Sequence, residues 1–446
     1  GFFARRAYVH EQLVELLLAD GHDREALKYA ERAKARALED LLTAHDSAKV
    51  APGRFDLQEL LDDWPEGVAA LEYFLTRQGA WVFHVNRQGA VRAFPLTDES
   101  GQPITARELI SQVQAVLRSE FNQYGALLRQ RMLAGKGFDH DWQDRLHQLY
   151  RTLIPERLRT ELDDCETLLI VPHHVLHYFP FAALVRETDS RRRGKLEMVQ
   201  PQFLLDASCA ICYAPSLGTW QRLRLRPNQP LDQVAAAVVP ELPGAVPLPG
   251  VAQELRYLAD AFPKRLTRIL AADKATRADT RKLLERSGML LVGTHGQNYP
   301  DQPLASELFL YPTGRDSGRL TAAELYGAEV RADLVVLSAC YTALADRSPL
   351  PGDDLFGLSR ALLQSGSRTV VTGYWDVYEG TGPELTRGLF DQLAEGKSVP
   401  LALANSQRRF VSQLRKSTDP EPWLHPYFWA VFGTLGDDRT RFQIPP

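Results

Sequence analysis

Apolar positions follow three successive patterns along the chain. Over residues 1–45, apolar and small residues recur every three or four positions, which is typical of amphipathic helices, and Gly21 interrupts the pattern once. From residue 67, short apolar runs are separated by polar turns, which predicts strands. From residue 234, apolar runs alternate with helical periodicity, as in a parallel sheet covered by helices. The chain is therefore predicted to hold a helical segment, an α+β part and a doubly wound α/β part.

The predicted elements follow these patterns in order. The middle part begins with an antiparallel meander of strands at 68–75, 81–86 and 91–95, and continues with helices at 104–132 and 140–159 and a buried strand at 168–171. The last part has predicted strands at 234–239, 268–271, 289–292, 334–339, 368–372 and 428–434. Its predicted helices cover 250–262, 277–287, 355–363, 383–395 and 398–415, and Thr321 with Glu324 forms a capping box for a further short helix.

Two of the buried strands lead into chemically reactive side chains. The run Met289–Val292 is followed by His295 and Gly296, and the run Leu334–Ala339 is followed by Cys340. Uninterrupted apolar runs are typical of strands buried on both faces, and ligands of such sheets bind outside the carboxyl ends of the strands. The separation of 45 residues (340 − 295) leaves room for a crossover to a neighbouring parallel strand. This arrangement predicts a thiol–imidazole pair, in which the histidine acts as base toward the thiol and then as acid toward a leaving amine.

These residues carry a family resemblance. The blocks Leu290–Gly296, Ala332–Thr342 and Gly373–Glu379 resemble the three characteristic blocks of the CHAT domain, a caspase-like, separase-related cysteine peptidase family often fused to tetratricopeptide repeats. The resemblance spans about residues 55–440, and the spacing from His295 to Cys340 is similar to that of caspases, whose histidine lies roughly 50 residues before the cysteine. It implies a caspase-like doubly wound α/β/α sandwich with a preceding α+β subdomain and a short N-terminal helical-repeat segment.

The resemblance also implies roles for backbone groups around the dyad. The N–H groups of Gly296 and Cys340 would form the oxyanion hole, in which one donor is typically worth about 10²–10³ in rate. Members of related families work with a dyad alone. Ser338 or Asn298 could orient the imidazole, and the sequence does not decide between them.

The loop after the strand that follows the cysteine strand is expected to build part of the primary substrate pocket. Here that loop contains Tyr374, Trp375, Asp376 and Glu379, where the family usually has Trp followed by Pro-Val-Asp-Asp. A carboxylate walled by aromatic rings would favour a lysine or arginine before the scissile bond. In the alternative, the carboxylates are solvated at the rim and the aromatic rings line a pocket for leucine or methionine.

The patterns predict three domains. Residues 1–48 form a helical segment in which Gly21, Ala26, Ala30 and Ala33 resemble the small-residue positions of a tetratricopeptide repeat. One such repeat cannot bury its own face, so the segment is expected to be the end of a longer array; an ordinary helical hairpin is the alternative. Residues 49–226 form the N-terminal CHAT subdomain, and residues 227–446 form the catalytic subdomain.

The composition of the chain limits the binding partners, the cellular compartment and the cofactors that we expect. The formal net charge is −4, which favours neither nucleic acid nor an anionic membrane, and the sequence has no apolar run of membrane-spanning length. Four cysteines in 446 residues do not suggest a disulfide framework, so a reducing, cytoplasmic setting is expected. No cofactor or metal is predicted. Pro172 and Pro180 disfavour the helix that would bring His173 and His177 together as metal ligands.

A second cysteine pattern has the spacing of a redox motif. Cys209 and Cys212 are separated by two residues, but on a strand a three-residue offset points the two thiols to opposite faces. We expect buried structural cysteines there.

Two functions from different classes fit the sequence. The first is a cysteine endopeptidase that cleaves a protein substrate and stays latent until a regulatory protein binds the helical-repeat side. In that case the loop 343–354, directly after the nucleophile, is expected to rearrange on activation. The second is a catalytically silent CHAT-type scaffold that binds other proteins.

Overall fold

The computed structural model of the 446-residue chain describes residues 2–44, 56–133, 140–188, 200–227, 233–299, 302–314, 316–341, 357–417 and 423–442. These residues form two compact units that divide between Gln221 and Arg222. The predicted three-domain division remains a prediction. In the described part of the chain, no helix combines the length and the apolar character needed to cross a bilayer.

The first unit combines helices with a five-stranded sheet. Its helices are α1 (Phe2–Ala19), α2 (Asp23–Ala44), α3 (Leu57–Asp62), α4 (Ala106–Val116), α5 (Tyr124–Leu133), α6 (Asp141–Leu153) and α7 (Glu156–Arg159), with a π-helical turn at Leu117–Asn122, and α8 (Leu217–Leu225) spans the division between the units. Its strands are β1 (Val68–Leu75), β2 (Ala80–Val85), β3 (Val91–Pro95), β4 (Thr167–Val171), β5 (Val185–Glu187), β6 (Gln202–Phe203) and β7 (Ala210–Tyr213).

The predicted meander is confirmed, because β1 pairs antiparallel with β2 and β2 with β3. On the other side of β1, strands β4 and β7 add in parallel, which gives the order β7-β4-β1-β2-β3. All eight residues of β1 are buried, including Glu72, the one charged residue in its otherwise apolar sequence.

A buried charge cluster ties α2 to this sheet. Lys34 Nζ lies 3.2 Å from Glu72 Oε1 on β1, and both side chains are almost completely buried. The Glu31 carboxylate accepts hydrogen bonds of 2.9 and 2.8 Å from two N–H groups at the start of α8. Burial and the neighbouring Glu31 carboxylate raise the pKa of Glu72 well above its usual range, and Lys34 opposes the shift. Within this unit the helical segment and the sheet are therefore joined by buried polar contacts.

The second unit is built on a mostly parallel sheet. Its strands are β8 (Val234–Val238), β9 (Leu266–Ala271), β10 (Met289–Gln297), β11 (Glu307–Phe309), β12 (Arg319–Thr321), β13 (Leu334–Tyr341), β14 (Thr369–Gly373) and β15 (Phe432–Gly436). Its helices are α9 (Pro249–Ala261), α10 (Arg277–Leu284), α11 (Ala322–Tyr326), α12 (Gly357–Ser365), α13 (Gly382–Ala394) and α14 (Val399–Arg415).

Strands β9, β8, β10, β13 and β14 run parallel in that order, and β15 adds antiparallel to β14. Parallel crossovers are right-handed, and the chain goes from β8 to β9 through α9 and back past β8 to β10 through α10. The two crossovers run in opposite directions, so α9 lies on one face of the sheet and α10 on the other. Helices α13 and α9 pack together, as do α13 and α14. The two central strands, β10 and β13, therefore lie inside the sheet with their carboxyl ends at one edge.

Most predicted elements of this unit lie within a few residues of their predicted places. The capping box of Thr321 and Glu324 is present at the start of α11. The closing strand was misplaced, because Pro426–Phe428 forms a 3-10 turn and the strand begins only at Phe432. Strands β11 and β12 were not predicted, since three residues each are too few to show a strand pattern.

Candidate active site

His295 and Cys340 lie side by side at the carboxyl ends of the two central strands. They are register partners in the parallel β10–β13 ladder. Neighbouring strands are about 4.8 Å apart, and register partners in a parallel pair lie on the same face of the sheet. Strand β13 ends at Tyr341, one residue after the cysteine. The backbone therefore brings the two predicted dyad positions together at the edge where α/β sheets bind ligands.

The imidazole of His295 is oriented by a backbone carbonyl. His295 Nε2 lies 2.7 Å from the carbonyl oxygen of Val246, in the segment between β8 and α9. A carbonyl oxygen can only accept a hydrogen bond, so Nε2 carries the proton. In the neutral ring Nδ1 is then unprotonated and can accept a proton, as a general base must.

The two side chains that the sequence offered as orienting groups are engaged elsewhere. Asn298 Oδ1 accepts a hydrogen bond of 2.8 Å from Ser306. Ser338 Oγ donates a hydrogen bond of 2.9 Å to Glu254 Oε1. The orienting contact that the structure shows comes from Val246, a residue whose side-chain type gives no signal for this role.

Gly296 continues β10 beyond the histidine. Its register partners are Tyr341 on β13 and Leu308 on β11, so it lies between two strands. It is the residue directly after His295 and sits one register step beyond the Cys340 position.

Two of the predicted pocket residues are buried among aromatic rings. Trp375 is 3 % exposed, its Nε1 donates to the carbonyl oxygen of Tyr427 at 3.1 Å, and the two rings stack 6.3 Å apart. Tyr374 is 4 % exposed, stacks against Trp375 and lies directly against the backbone of Gly433.

The two carboxylates of the same loop have different surroundings. Asp376 lies at the surface, where partial desolvation raises its pKa and the nearby His295 opposes the shift. Glu379 also has an exposed side chain, but its Oε2 accepts a hydrogen bond of 2.6 Å from the N–H of Gly250 in the first turn of α9. Asp376 is thus electrostatically coupled to the candidate base, and Glu379 caps a helix.

Sequence reasoning missed a third carboxylate. Glu254 on α9 is 2 % exposed, and its burial raises its pKa to about 7. The signal was present, because Val251, Glu254 and Leu258 share one helical face and a carboxylate in the middle of an apolar stripe is unusual. What the pattern could not supply is the partner on β13, Ser338.

The histidines that follow Pro172, which were weighed as metal ligands, lie in a structural turn. The stretch after Pro172 forms a 3-10 turn over His174–Tyr178, and His173 Nδ1 accepts from the N–H of Leu75 at 2.9 Å. Across the described ranges, no group of three or more His, Cys, Asp or Glu side chains is arranged to hold a metal ion.

The three cysteines outside β13 are buried, which confirms the expectation for Cys209 and Cys212. Cys165, Cys209 and Cys212 are 3 %, 1 % and 0 % exposed and form no disulfide. Cys209 lies near Cys165, since both thiols approach the carbonyl oxygen of Leu162 at 3.5 and 3.3 Å. The loop 343–354, predicted to rearrange on activation, lies outside the described residues.

Comparison with known proteins identifies the family. The model of the CHAT domain matches residues 143–437, more than half of the chain, and the chain belongs to this family. Tetratricopeptide repeat protein 28 of Mus musculus is 29 % identical over 119 residues, which are 27 % of this chain and 4 % of that protein. The chain thus spans only a small part of this curated relative.

The fold is similar to that of a solved structure. In the separase–securin complex of Saccharomyces cerevisiae at 3.0 Å, the matching chain superposes with a TM-score of 0.58 at 9 % identity, covering 93 % of this chain and 34 % of that one. A second structure of the complex, at 2.6 Å, gives a TM-score of 0.54 at 11 % identity, with coverage of 93 % and 34 %. The predicted caspase-like α/β fold class and the resemblance to CHAT domains with tetratricopeptide-type repeats are confirmed.

Proposed function

We propose that this protein is a cysteine endopeptidase that uses Cys340 as nucleophile and His295 as general base and acid. The observation that carries the proposal is the register pairing of these two residues at the carboxyl ends of β10 and β13. The contact from Val246 supports it, because it leaves Nδ1 of His295 as the basic nitrogen.

The proposed reaction proceeds in two halves. Nδ1 of His295 takes the proton of the Cys340 thiol, and the thiolate attacks the peptide carbonyl carbon. The resulting oxyanion would be bound by the N–H groups of Gly296 and Cys340. The imidazolium then protonates the leaving amine, and the C–N bond breaks to give a thioester. In the second half the imidazole removes a proton from water, the hydroxide attacks the thioester, and the thiol is released.

The loop after β14 is proposed to border the substrate site. Asp376 is the loop residue whose charge is coupled to His295, which supports its position beside the dyad. Tyr374 and Trp375 are proposed to hold the loop in place through their buried rings, and Glu379 through its contact with α9.

A protein partner is proposed to control this activity through the helical segment. Val9 and Leu16 on α1 are 63 % and 64 % exposed, and their spacing of seven places them on one face of the helix. Large exposed aliphatic side chains on one helical face are typical of a surface that another protein or repeat covers. The separase of the comparison structure is itself in complex with a protein, securin.

The test is cleavage of a denatured protein and a peptide library by the purified chain. Cys340→Ala and His295→Ala should each abolish cleavage, whereas the matched control Cys165→Ala, which removes a buried thiol of the other unit, should retain it. Cleavage that persists in Cys340→Ala would refute the peptidase. If wild type itself cleaves neither substrate, the scaffold function is the better account, since it requires neither side chain.

A further inference from the structure

A cleft containing carboxylates lies beside the candidate dyad. Its walls are apolar and come from Leu248, Val251, Val377 and Pro383. Its polar lining consists of Glu254, Ser338 and Glu379, and it is a small cleft that is partly open to solvent. Of the described residues, those that line the cleft include no lysine or arginine.

The cleft lies on the same face of the sheet as the dyad positions. Ser338 precedes Cys340 by two residues on β13, and positions two apart on a strand share a face. Gly293, the register partner of Ser338, packs under α9, because a Cβ atom there would lie 2.9 Å from Val251. His295 follows Gly293 by two residues. A side chain entering beside the dyad can therefore reach the cleft one strand step further in.

Glu254 has one carboxylate oxygen satisfied and one unsatisfied. Ser338 Oγ donates to Oε1 at 2.9 Å. Among the described residues Oε2 has no hydrogen bond of good geometry. The Thr386 hydroxyl lies close enough to Glu254 to lower its pKa, but its well-aligned hydrogen bond goes to the carbonyl oxygen of Pro383 at 3.0 Å. A buried carboxylate oxygen without a partner is costly, so such groups are retained where a ligand supplies the missing donor.

Glu379, the second carboxylate of the cleft, also favours the binding of a cation. Glu379 accepts the N–H of Gly250 and lines the same cleft. Its negative charge adds to the effect of burial in raising the pKa of Glu254. A positive group placed between them would relieve both the burial and the repulsion.

We propose that this cleft binds the side chain of a lysine or arginine immediately before the scissile bond, with Glu254 as the residue that recognises its cationic group. The proposal rests on the proposed peptidase function and names its substrate class. The apolar walls suit the methylene stem of such a side chain, and the carboxylate forms a charge-assisted hydrogen bond with its head. An acidic side chain would be repelled, and an aliphatic one would leave Glu254 unsatisfied.

The first arm of the test is cleavage of peptides that differ only at the position before the scissile bond. Wild type should cleave arginine and lysine peptides well above leucine, methionine and glutamate peptides. Glu254→Gln should lower kcat/KM for the basic peptides by about 10²-fold, in line with the loss of a charge-assisted hydrogen bond. It should leave the leucine peptide within a few fold, so the preference is lost selectively. Asp260→Asn, an exposed acid on the same helix, is the matched control and should behave as wild type.

The second arm measures binding without catalysis. Agmatine, which carries a guanidinium on a four-carbon stem, should bind to wild type and to Asp260→Asn in calorimetric titration, and binding to Glu254→Gln should be at least tenfold weaker. If no peptide is cleaved but agmatine binds through Glu254, the cation cleft stands and the peptidase function fails. Three outcomes would each contradict the binding of a cation in this cleft, whether or not the protein is a peptidase. They are faster cleavage of leucine or methionine peptides than of basic peptides, an equal loss of rate for all peptides in Glu254→Gln, and no binding of agmatine.

Discussion

His295 and Cys340 are register partners on adjacent parallel strands. The pairing is produced by two buried strands of similar length that begin at Met289 and Leu334 and run side by side from their first residues. Because the strands carry the two residues at the same depth, the two backbone positions lie side by side without any contribution from a flexible loop. Rigid strand ends are the kind of support that catalytic groups need.

Thiol reactivity should distinguish Cys340 from the other cysteines. Beside an imidazole, the thiol is expected to ionise below the usual value of about 8.5. Iodoacetamide should therefore label Cys340 faster than Cys165, Cys209 and Cys212, all of which are buried. Mass spectrometry of the labelled peptides over time measures this directly.

The variant His295→Ala distinguishes an effect of the imidazole on the labelling of Cys340 from an effect of solvent exposure alone. This variant should slow labelling of Cys340 and leave the three buried thiols unchanged. Equal labelling rates of Cys340 in wild type and His295→Ala would argue against a thiolate–imidazolium pair.

The stability of the second unit should depend on pH through Glu254. Burial raises the pKa of this carboxyl from 4.5 to about 7. Between these two pH values the folded state binds the proton more tightly than the unfolded state does, so the free energy of unfolding falls as the pH rises from 4.5 to about 7. Glu254→Gln keeps the shape and removes the charge. It should match wild type near pH 4.5 and become more stable by roughly 3 kcal/mol at pH 8.

Urea unfolding at several pH values, followed by tryptophan fluorescence, measures this difference. Asp260→Asn should follow wild type at every pH. A Glu254→Gln effect that is constant with pH would mean that the carboxyl is not the group whose ionisation destabilises the fold.

The buried pair of the first unit should be sensitive to removal of one partner. Lys34→Met leaves Glu72 without its counter-charge and should destabilise this unit by about 3–5 kcal/mol. The double change Lys34→Met with Glu72→Leu should recover most of that loss, because both buried charges are then absent. Thermal unfolding of the variants is the measurement.

Lys28→Met is the control on the same helix. Lys28 pairs with Glu25 at the surface, 3.7 Å apart, and exposed pairs contribute about 0–1 kcal/mol. If Lys34→Met were as mild as Lys28→Met, the buried cluster would not be what joins α2 to the sheet.

Activation should alter the loop 343–354. This segment directly follows Cys340, the proposed nucleophile, and contains Pro349, Pro351 and Gly352, so we expect it to change when a regulatory protein activates the proposed peptidase. Limited trypsin digestion should cut at Arg347 at different rates in the free and partner-bound protein. Unchanged cutting on activation would place the control elsewhere in the chain.

The sequence by itself determined the elements that carry the candidate dyad. Short unbroken apolar runs rich in β-branched residues are typical of buried strands, so the strands ending near His295 and Cys340 could be recognised without tertiary information. Local hydrogen bonding also made the capping box at Thr321 predictable, because all of its partners lie within four residues.

Only the tertiary structure decided which groups surround the dyad. The Val246 carbonyl, the Ser338–Glu254 hydrogen bond and the Glu379–Gly250 contact join residues 49, 84 and 129 positions apart. Each depends on how α9 packs across β10 and β13, and packing between distant elements leaves no periodic pattern in the chain. The strands could be predicted because their signal is local, whereas the orientation of the base and the buried carboxylate follow from where a helix lies on the sheet.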